Sequence, residues 1–279
     1  MLLILNMTLI SFSIPVFAQE EKESSQSLER SAGRPVAIYI NGRKYEGSAF
    51  LKSGNTYVGI REFSMYMGAS SVNWDNTTKT CTVRSDNLSV SSKNNTSYII
   101  ANGRFLWAQS GIIIVNGTMY VPIRPLAKAF GYSVRWSEKD FCATLTHTAS
   151  LESGNVYYNA EELLWLSRII HAEAQGEPLL GKVAVATVVL NRVKSSLYPN
   201  TIYGVIFDKK NGVQFTPAKS GTIYCTPSEE SIIAAKLCLD GARISDRVLF
   251  FVNEALATSS WVSDNRPFVM TVGNHKFFA

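Results

Sequence analysis

Glu173 is the side chain of this sequence best placed to act as an acid. It lies in the segment HAEAQGEP at 171–178, and the preceding run EELLWLSRIIHAEAQ has an apolar stripe at helical spacing: Leu163, Leu166, Ile169 and Ile170. Glu173 follows Ile170 by three residues and Leu166 by seven, so its side chain should point to the face that these apolar residues occupy. The pattern therefore predicts a helix that carries one carboxylate on its buried face.

The predicted end of this helix affects the pKa of Glu173. Gly176 and the residue before Pro178 predict that the helix ends there, which leaves Glu173 in its last turn. The helix dipole and burial both disfavour a negative charge at that place, so both raise the pKa. A carboxyl group that is still protonated near neutral pH can serve as a general acid. The alternative is an exposed residue on a frayed helix end, the commoner fate of a glutamate.

The part of the chain around Glu173 resembles a known family. From Leu163 to Ala279 it resembles the catalytic domain of the SleB/CwlJ cell wall hydrolases, known as spore-cortex-lytic enzymes. Five ordered blocks carry the resemblance: HAEAQGEP, GKVAVATVVLNRVKSSLYPNTIYGVIF at 181–207, VQFTPAKSGTIY at 213–224, FFVNEALATSSWV at 250–262 and TVGNHKFF at 271–278. The resemblance implies a mainly α, lysozyme-like domain over 161–279, with Glu173 at the position of the catalytic glutamate.

The same resemblance implies which side chains border the substrate. Those expected to bind it are Gln214, Phe215, Thr216, Phe251, Asn253 and His275. The amide of Gln214 would bond an N-acetyl group and the Thr216 hydroxyl a sugar hydroxyl or a water, although either side chain could instead only shape its turn. Many relatives have a tyrosine where this chain has Phe251. Trp261 is expected either to stack on a sugar ring or to lie in the core.

Other polar groups near Glu173 are less suited to catalysis. His171 is two residues away, so it should point to another face of the helix. Glu177 supplies a second carboxylate, but a nucleophilic role would require the two carboxyl groups about 5 Å apart across the sugar, which four residues around a helix end disfavour. Asn191 and Arg192 are expected to be structural, at the end of a central buried helix that follows Pro178.

The N-terminal segment predicts export. Residues 2–17 form an apolar run that ends in Val16-Phe17-Ala18, which predicts a signal peptide over 1–18 and a secreted protein acting at the cell wall. No basic residue precedes the run, which departs from a standard signal peptide. An uncleaved anchor is the alternative, because the run is near the lower length limit for a membrane span, and only then would the chain contact a membrane. Residues 19–34 are polar and predict a disordered linker.

Between this linker and the catalytic domain lies a duplication. YVGIREFSMYMGASSVNWD at 57–75 aligns with YVPIRPLAKAFGYSVRWSE at 120–138, and IYINGR at 38–43 with IIANGR at 99–104. The repeats, 35–85 and 97–147, each predict a β-β-α-β-β unit with the helix opening after the arginine. They resemble the stalk domain named for the N-terminus of copper amine oxidases. It would serve as a spacer or wall-binding module, or fold without binding anything, and residues 148–160 predict a linker after it.

Composition limits the partners. Lys and Arg total 27 against 22 Asp and Glu, a net charge of +5 without a basic cluster, which argues against nucleic acid and suits an anionic wall polymer. Four cysteines and three histidines lack zinc-site spacing. The cysteines are expected to be four buried free thiols, with Cys81 and Cys142 at matching repeat positions; a disulfide between Cys225 and Cys238, which export would permit, is the alternative. We therefore expect a monomer without a metal or other cofactor.

These observations predict an α+β stalk domain followed by a mainly α catalytic domain that degrades peptidoglycan. The resemblance implies cleavage of the MurNAc–GlcNAc bond as a lytic transglycosylase, giving 1,6-anhydro-MurNAc ends, with spore cortex as one substrate. A hydrolytic muramidase would use the same Glu173. An N-acetylmuramoyl-L-alanine amidase and a non-catalytic wall-binding protein are the two competing interpretations.

Overall fold

The computed structural model describes residues 33–210, 212–257 and 259–279. The predicted signal peptide and nearly all of the predicted linker 19–34 lie outside the described residues. Within the described part of the chain, no helix combines the length and apolar character needed to cross a membrane. The chain has a β-rich N-terminal part and a C-terminal part built mainly from helices.

The N-terminal part consists of short hairpins and two short helices. Its first half contains β1 (Arg34–Pro35), β2 (Ala37–Ile40), β3 (Arg43–Tyr45), β4 (Ala49–Lys52), β5 (Asn55–Gly59), α1 (Ile60–Tyr66), β6 (Ser71–Asp75), β7 (Thr80–Ser85) and β8 (Leu88–Lys93). Its second half contains β9 (Tyr98–Ala101), β10 (Arg104–Trp107), β11 (Ile113–Val115), β12 (Thr118–Pro122), α2 (Ile123–Ala129), β13 (Tyr132–Ser137) and β14 (Cys142–His147).

Each repeat therefore contains more strands than the predicted β-β-α-β-β unit. The order is two hairpins, a helix and a third hairpin in both repeats. Each helix begins one residue before the arginine, at Ile60 and Ile123, because these apolar side chains are buried in the core. Gly68 and Gly131 follow the two helices with positive φ angles of 88° and 81°, a conformation that glycine adopts at helix ends.

The two repeats interlock rather than folding side by side. Strand β14 of the second repeat pairs in parallel with β2 of the first, and β12 pairs with β5. The segment between the repeats supplies β8, which lies between β7 and β9 in the sheet β10-β9-β8-β7-β6. A single core contains side chains of both repeats, including Phe63, Val83, Leu126 and Leu145. Each repeat completes the other's sheets, so the two repeats form one folding unit.

The strand register also corrects the predicted match between two cysteines. Trp74 lies opposite Cys81 in one repeat, and Trp136 lies opposite Ala143 in the other. Ala143, and not Cys142, is thus the counterpart of Cys81. All four cysteines are free thiols, but Cys225 is exposed and not buried as expected.

The C-terminal part opens with helices and closes with a small sheet. Its elements are α3 (Gly154–Tyr157), α4 (Ala160–Ala174), α5 (Leu179–Lys194), α6 (Ile202–Phe207), α7 (Thr216–Ser220), a 3-10 turn (Thr222–Tyr224), α8 (Glu229–Leu239), β15 (Phe250–Val252), α9 (Trp261–Asn265), β16 (Phe268–Val272) and β17 (His275–Phe278). The antiparallel sheet β15-β17-β16 was missing from the mainly α prediction.

Helix α5 is the centre of this part, as the sequence predicted. It is buried continuously from Gly181 to Arg192. One face packs with α4 and α8 through residues such as Val183 and Ile170, and the other packs on the sheet through Val188 and Phe277. The sheet is needed because the second apolar face of α5 has to be covered.

A buried ionic cluster joins the two parts. Asp240, at the end of α8, accepts two hydrogen bonds of 2.8 Å from Arg104 of β10 and one of 2.5 Å from Lys128 of α2. Its side chain is 1% exposed. Tyr158 bonds Asp240 at 3.3 Å and the backbone N–H of Phe105 at 2.9 Å. The predicted linker 148–160 is therefore not a free tether, since α3 and Tyr158 belong to this interface.

Candidate active site

Glu173 lies in the last turn of α4 and its carboxyl group is largely removed from water. Asn159 caps the start of α4: its side chain accepts hydrogen bonds from the backbone N–H groups of Glu161 and Glu162. Leu166, Ile169 and Ile170 are fully buried along one face, as predicted. Burial raises the pKa of Glu173 to about 7. The carboxyl group therefore exchanges its proton near neutral pH.

The carboxyl group of Glu173 lines a cleft of about 750 Å³. The walls come from the turn after α4, the loop before α7, strand β15 and the turn before α9. All of the side chains expected to bind substrate line this cleft: Gln214, Phe215, Thr216, Phe251, Asn253 and His275. Segments that are far apart in the sequence thus meet around one carboxyl group.

Gln214 and Asn253 both have partners close to their own loops. The Nε2 of Gln214 donates to the carbonyl of Gly212 at 3.2 Å, and its Oε1 accepts from Arg192 at 3.4 Å. The Oδ1 of Asn253 accepts from the backbone N–H of Ala255 at 3.1 Å. These bonds hold the two loops in shape, and a turn-shaping role was one of the two predicted for Gln214. They also fix the position of each amide at the cleft.

Aromatic rings form the base of the cleft. Phe215 is 2% exposed, and Thr216 next to it is the first residue of α7. The ring of Phe251 lies 5.3 Å from that of His275 and 6.3 Å from that of Phe215, measured between centroids. Burial lowers the pKa of His275, so its imidazole is neutral at pH 7.

Glu177 is buried and supports the site in a way that the sequence did not reveal. Its carboxylate accepts hydrogen bonds from the side chain of Asn274 at 2.8 Å and from the backbone N–H of Asn274 at 3.2 Å, and lies 3.5 Å from Nδ1 of His275. A Cβ on Gly273, which has φ +58°, would overlap Oε2 of Glu177. Glu177 therefore anchors the turn between β16 and β17, which places His275 in the cleft.

A buried lysine holds the loop that contains Glu177. The ammonium group of Lys182, 1% exposed, donates to the backbone carbonyl of Glu177 and to Glu230 at 2.7 Å. The dipeptide Gly273-Asn274 between apolar residues was the sequence signal for the hairpin at this place. No comparable signal in the sequence points to the partners of Lys182.

Comparison with known protein families assigns both parts of the chain. Residues 176–278 match the family profile described as cell wall hydrolase. The C-terminal part is a cell wall hydrolase domain. Residues 39–142 match the profile described as copper amine oxidase N-terminal domain, which agrees with the stalk resemblance.

Several named proteins are similar to the hydrolase domain. The spore cortex-lytic enzyme of Bacillus cereus is 38% identical over 120 residues, which are 43% of this chain and 45% of that protein. That of Bacillus subtilis strain 168 is 36% identical over 120 residues, 43% of this chain and 38% of that protein. The chain thus spans less than half the length of these two relatives. A solved structure, the catalytic domain of the germination-specific lytic transglycosylase SleB from Bacillus anthracis, is 35% identical, with 46% of this chain and 100% of that chain covered and a TM-score of 0.40.

Asn191 and Arg192 are structural in the hydrolase domain, as expected, and Arg192 also lines the cleft. The side chain of Asn191 donates to the carbonyls of Ser245 and Val248, both at 2.9 Å. Arg192 donates to the carbonyl of Leu249 at 2.8 Å, and burial lowers its pKa. Together they attach the end of α5 to the segment that leads into β15.

Of two further side chains in the hydrolase domain, one lies outside the cleft and the other lines it. His171 accepts a hydrogen bond from the backbone N–H of Ser228 at 3.3 Å and is not part of the cleft wall, as predicted. Trp261 does line the cleft and is 52% exposed, which rules out the core position that the sequence left open. Among the described residues, no three His, Cys, Asp or Glu side chains are grouped so that they could hold a metal ion.

Proposed function

We propose that this chain is an exported enzyme that cleaves the glycan strands of peptidoglycan, at the bond between N-acetylmuramic acid and N-acetylglucosamine. The observation that carries the proposal is Glu173: one carboxyl group, with its pKa raised to about 7 by burial, lines an open cleft large enough for sugar rings. The other cleft residues, from Gln214 to His275, lie within the cell wall hydrolase match at 176–278, which supports a wall polymer as the substrate.

The reaction we infer is a lytic transglycosylation. Protonated Glu173 donates its proton to the oxygen that joins C1 of the muramic acid to the next sugar, and the C1–O bond breaks through an oxocarbenium-like state. The resulting carboxylate takes the proton from the C6 hydroxyl, and O6 bonds to C1. The net change moves one proton from O6 to the leaving oxygen and closes a 1,6-anhydro ring, so a single carboxyl group serves both steps.

The cleft walls suit the proposed substrate. Trp261 and the exposed side chain of Leu256 offer apolar surface on which sugar rings can lie, and the Gln214 and Asn253 amides face the same space. Neutral His275 stands beside Phe251 and offers a hydrogen bond without adding charge. Phe215 and Thr216 would border the same sugar from the loop before α7.

Relatives and sequence support the setting of this activity. Two similar proteins are named spore cortex-lytic enzymes, so cortex peptidoglycan is the substrate we favour within this class. Export follows from the apolar run and the Val16-Phe17-Ala18 pattern. Export would bring the enzyme to this substrate, because peptidoglycan lies outside the cytoplasm.

A pair of variants on one helix tests the role of Glu173. Glu173→Gln keeps the size of the side chain and removes its titratable proton, so release of fragments from purified cortex or sacculi should fall by about two orders of magnitude or more. Glu162→Gln makes the same chemical change at an exposed position in the first turn of α4 and should leave the rate unchanged. Full activity of Glu173→Gln would overturn the proposal.

A further inference from the structure

The interlocked stalk domain (residues 35–147) builds the same cleft twice. In one copy Arg124 and Trp136 of the second repeat face the turn at Gly54 in the first repeat; in the other copy Arg61 and Trp74 face the turn at Gly117. This exchange follows from the pairing of β5 with β12, which sets the β4–β5 hairpin of one repeat against the helix and third hairpin of the other.

The two copies differ in size and lining. The copy around Trp74 has a volume of about 170 Å³, whereas the copy around Trp136 has about 330 Å³. The larger copy, called the stalk cleft below, gains a wall from residues 107–109. Its polar and aromatic lining includes Asn55, Trp107, Gln109, Arg124, Trp136 and Glu138.

Most of these groups have polar atoms that the protein leaves available. Arg124 uses one N–H to bond the carbonyl of Val134 at 2.8 Å, and among the described residues it takes part in no ion pair. Glu138 and Gln109 are exposed at the rim, and neither is among the hydrogen-bonded side chains of the described residues. Trp136 is held edge-on against Phe141 with 5.2 Å between ring centroids. The amide of Asn55 donates to the carbonyl of Ser53 at 3.0 Å, which leaves its oxygen available. An indole held beside the remaining N–H groups of Arg124 and the side chains of Gln109 and Glu138 is a surface prepared for a polar ligand that has flat apolar faces.

We propose that the stalk cleft is a second glycan-binding site, which holds an amino-sugar strand of peptidoglycan; the identity of this ligand rests on the function proposed above. Sugar rings present flat C–H faces to Trp107 and Trp136, and their hydroxyl and N-acetyl groups match the side chains of Gln109 and Asn55. Where a muramic acid carries no stem peptide, its lactyl carboxylate is free and is the anion for Arg124.

The stalk cleft lies next to the interface with the hydrolase domain. Trp107 also packs against the core of the hydrolase domain, and the Arg104–Asp240 pair joins the two domains beside it. A strand held in the stalk cleft is therefore held at a fixed place relative to the hydrolase domain. Binding there would keep the enzyme on an insoluble wall between cleavage events.

Hydrogen exchange followed by mass spectrometry can locate binding in the full chain. The probe is soluble peptidoglycan glycan strands freed of stem peptides, added to the Glu173→Gln variant so that no cleavage occurs. We expect protection of segments 107–109 and 122–138 in addition to protection around 250–253 in the catalytic cleft. Protection at the catalytic cleft alone would overturn the second site and leave the proposed function standing. Protection at the stalk cleft alone would support the second site and count against the proposed function.

Substitutions in equivalent positions supply the control. In Arg124→Ala and in Gln109→Ala, half-maximal protection of the stalk cleft should require about tenfold more strand. This is the cost of losing one charge-assisted or well-placed hydrogen bond. Arg61→Ala, the same change in the smaller copy, should have no effect. Chitotetraose lacks the lactyl carboxylate, so Arg124→Ala should affect its binding much less than that of the strands. Equal effects of Arg124→Ala and Arg61→Ala would contradict the proposal.

Discussion

Replacing Glu173 by Gln should make the protein more stable above pH 7 while it abolishes cleavage. Burial raises the pKa of Glu173 from 4.5 to about 7, so the fold disfavours the charged form. At about 1.4 kcal/mol for each tenfold change in proton affinity, this rise corresponds to roughly 3 kcal/mol. Between these two pH values the folded chain binds more protons than the unfolded chain. The native protein is therefore penalised progressively as the pH rises from about 4.5 to 7, and Gln carries no such penalty.

Urea unfolding at pH 5 and at pH 8 measures this difference. The far-UV helical signal reports mainly on the hydrolase domain, which contains the long helices. We expect Glu173→Gln to exceed the parent in unfolding free energy by roughly 3 kcal/mol at pH 8 and by much less at pH 5, whereas Glu162→Gln should match the parent at both. A gap of the same size at both pH values would refute the claim that burial penalises the ionised carboxyl group.

Three further outcomes follow from the site and the interface. The rate of cleavage should fall about tenfold for each pH unit well above 7, as the acid form of Glu173 is lost, and a rate that is flat up to about pH 9 would speak against it. Gly273→Ala should lower the unfolding free energy by about 2 kcal/mol or more in urea titration, because its Cβ meets the Glu177 carboxylate; Gly221→Ala, also at positive φ but with open space, should cost about 1 kcal/mol. Asp240→Ala should leave a buried guanidinium unpaired and increase protease cleavage within 148–160, and unchanged protease resistance would argue against the ionic cluster.

The central part of the site could be predicted because its signals are local. The spacing of Leu166, Ile170 and Glu173 determines which face of α4 is buried, and Gly176 with Pro178 determines where α4 ends. The raised pKa of Glu173 follows from the burial of that face. The cleft residues of the later blocks were identified through family resemblance, and the structure brings them to the same carboxyl group.

The features that the sequence missed depend on long-range pairing. The two repeats of the stalk were recognised, but nothing local shows that β14, besides its hairpin with β13, also pairs with β2 of the other repeat. Arg104 and Asp240 are separated by 136 residues, so their ion pair has no sequence signal. The supporting role of Glu177 likewise depends on a hairpin turn at the opposite end of the hydrolase domain.

In the proposed reaction, Glu173 moves one proton between two oxygens of the glycan without a water molecule entering the product. Mass spectrometry of the muropeptides released from purified cortex by the parent protein, with and without borohydride reduction, tests it most directly. We expect 1,6-anhydro-muramic ends that resist borohydride and no incorporation from isotopically labelled water. Reducible muramic ends that carry the label would contradict the transglycosylase reaction, and free stem peptides beside intact glycan strands would contradict glycosidic cleavage altogether.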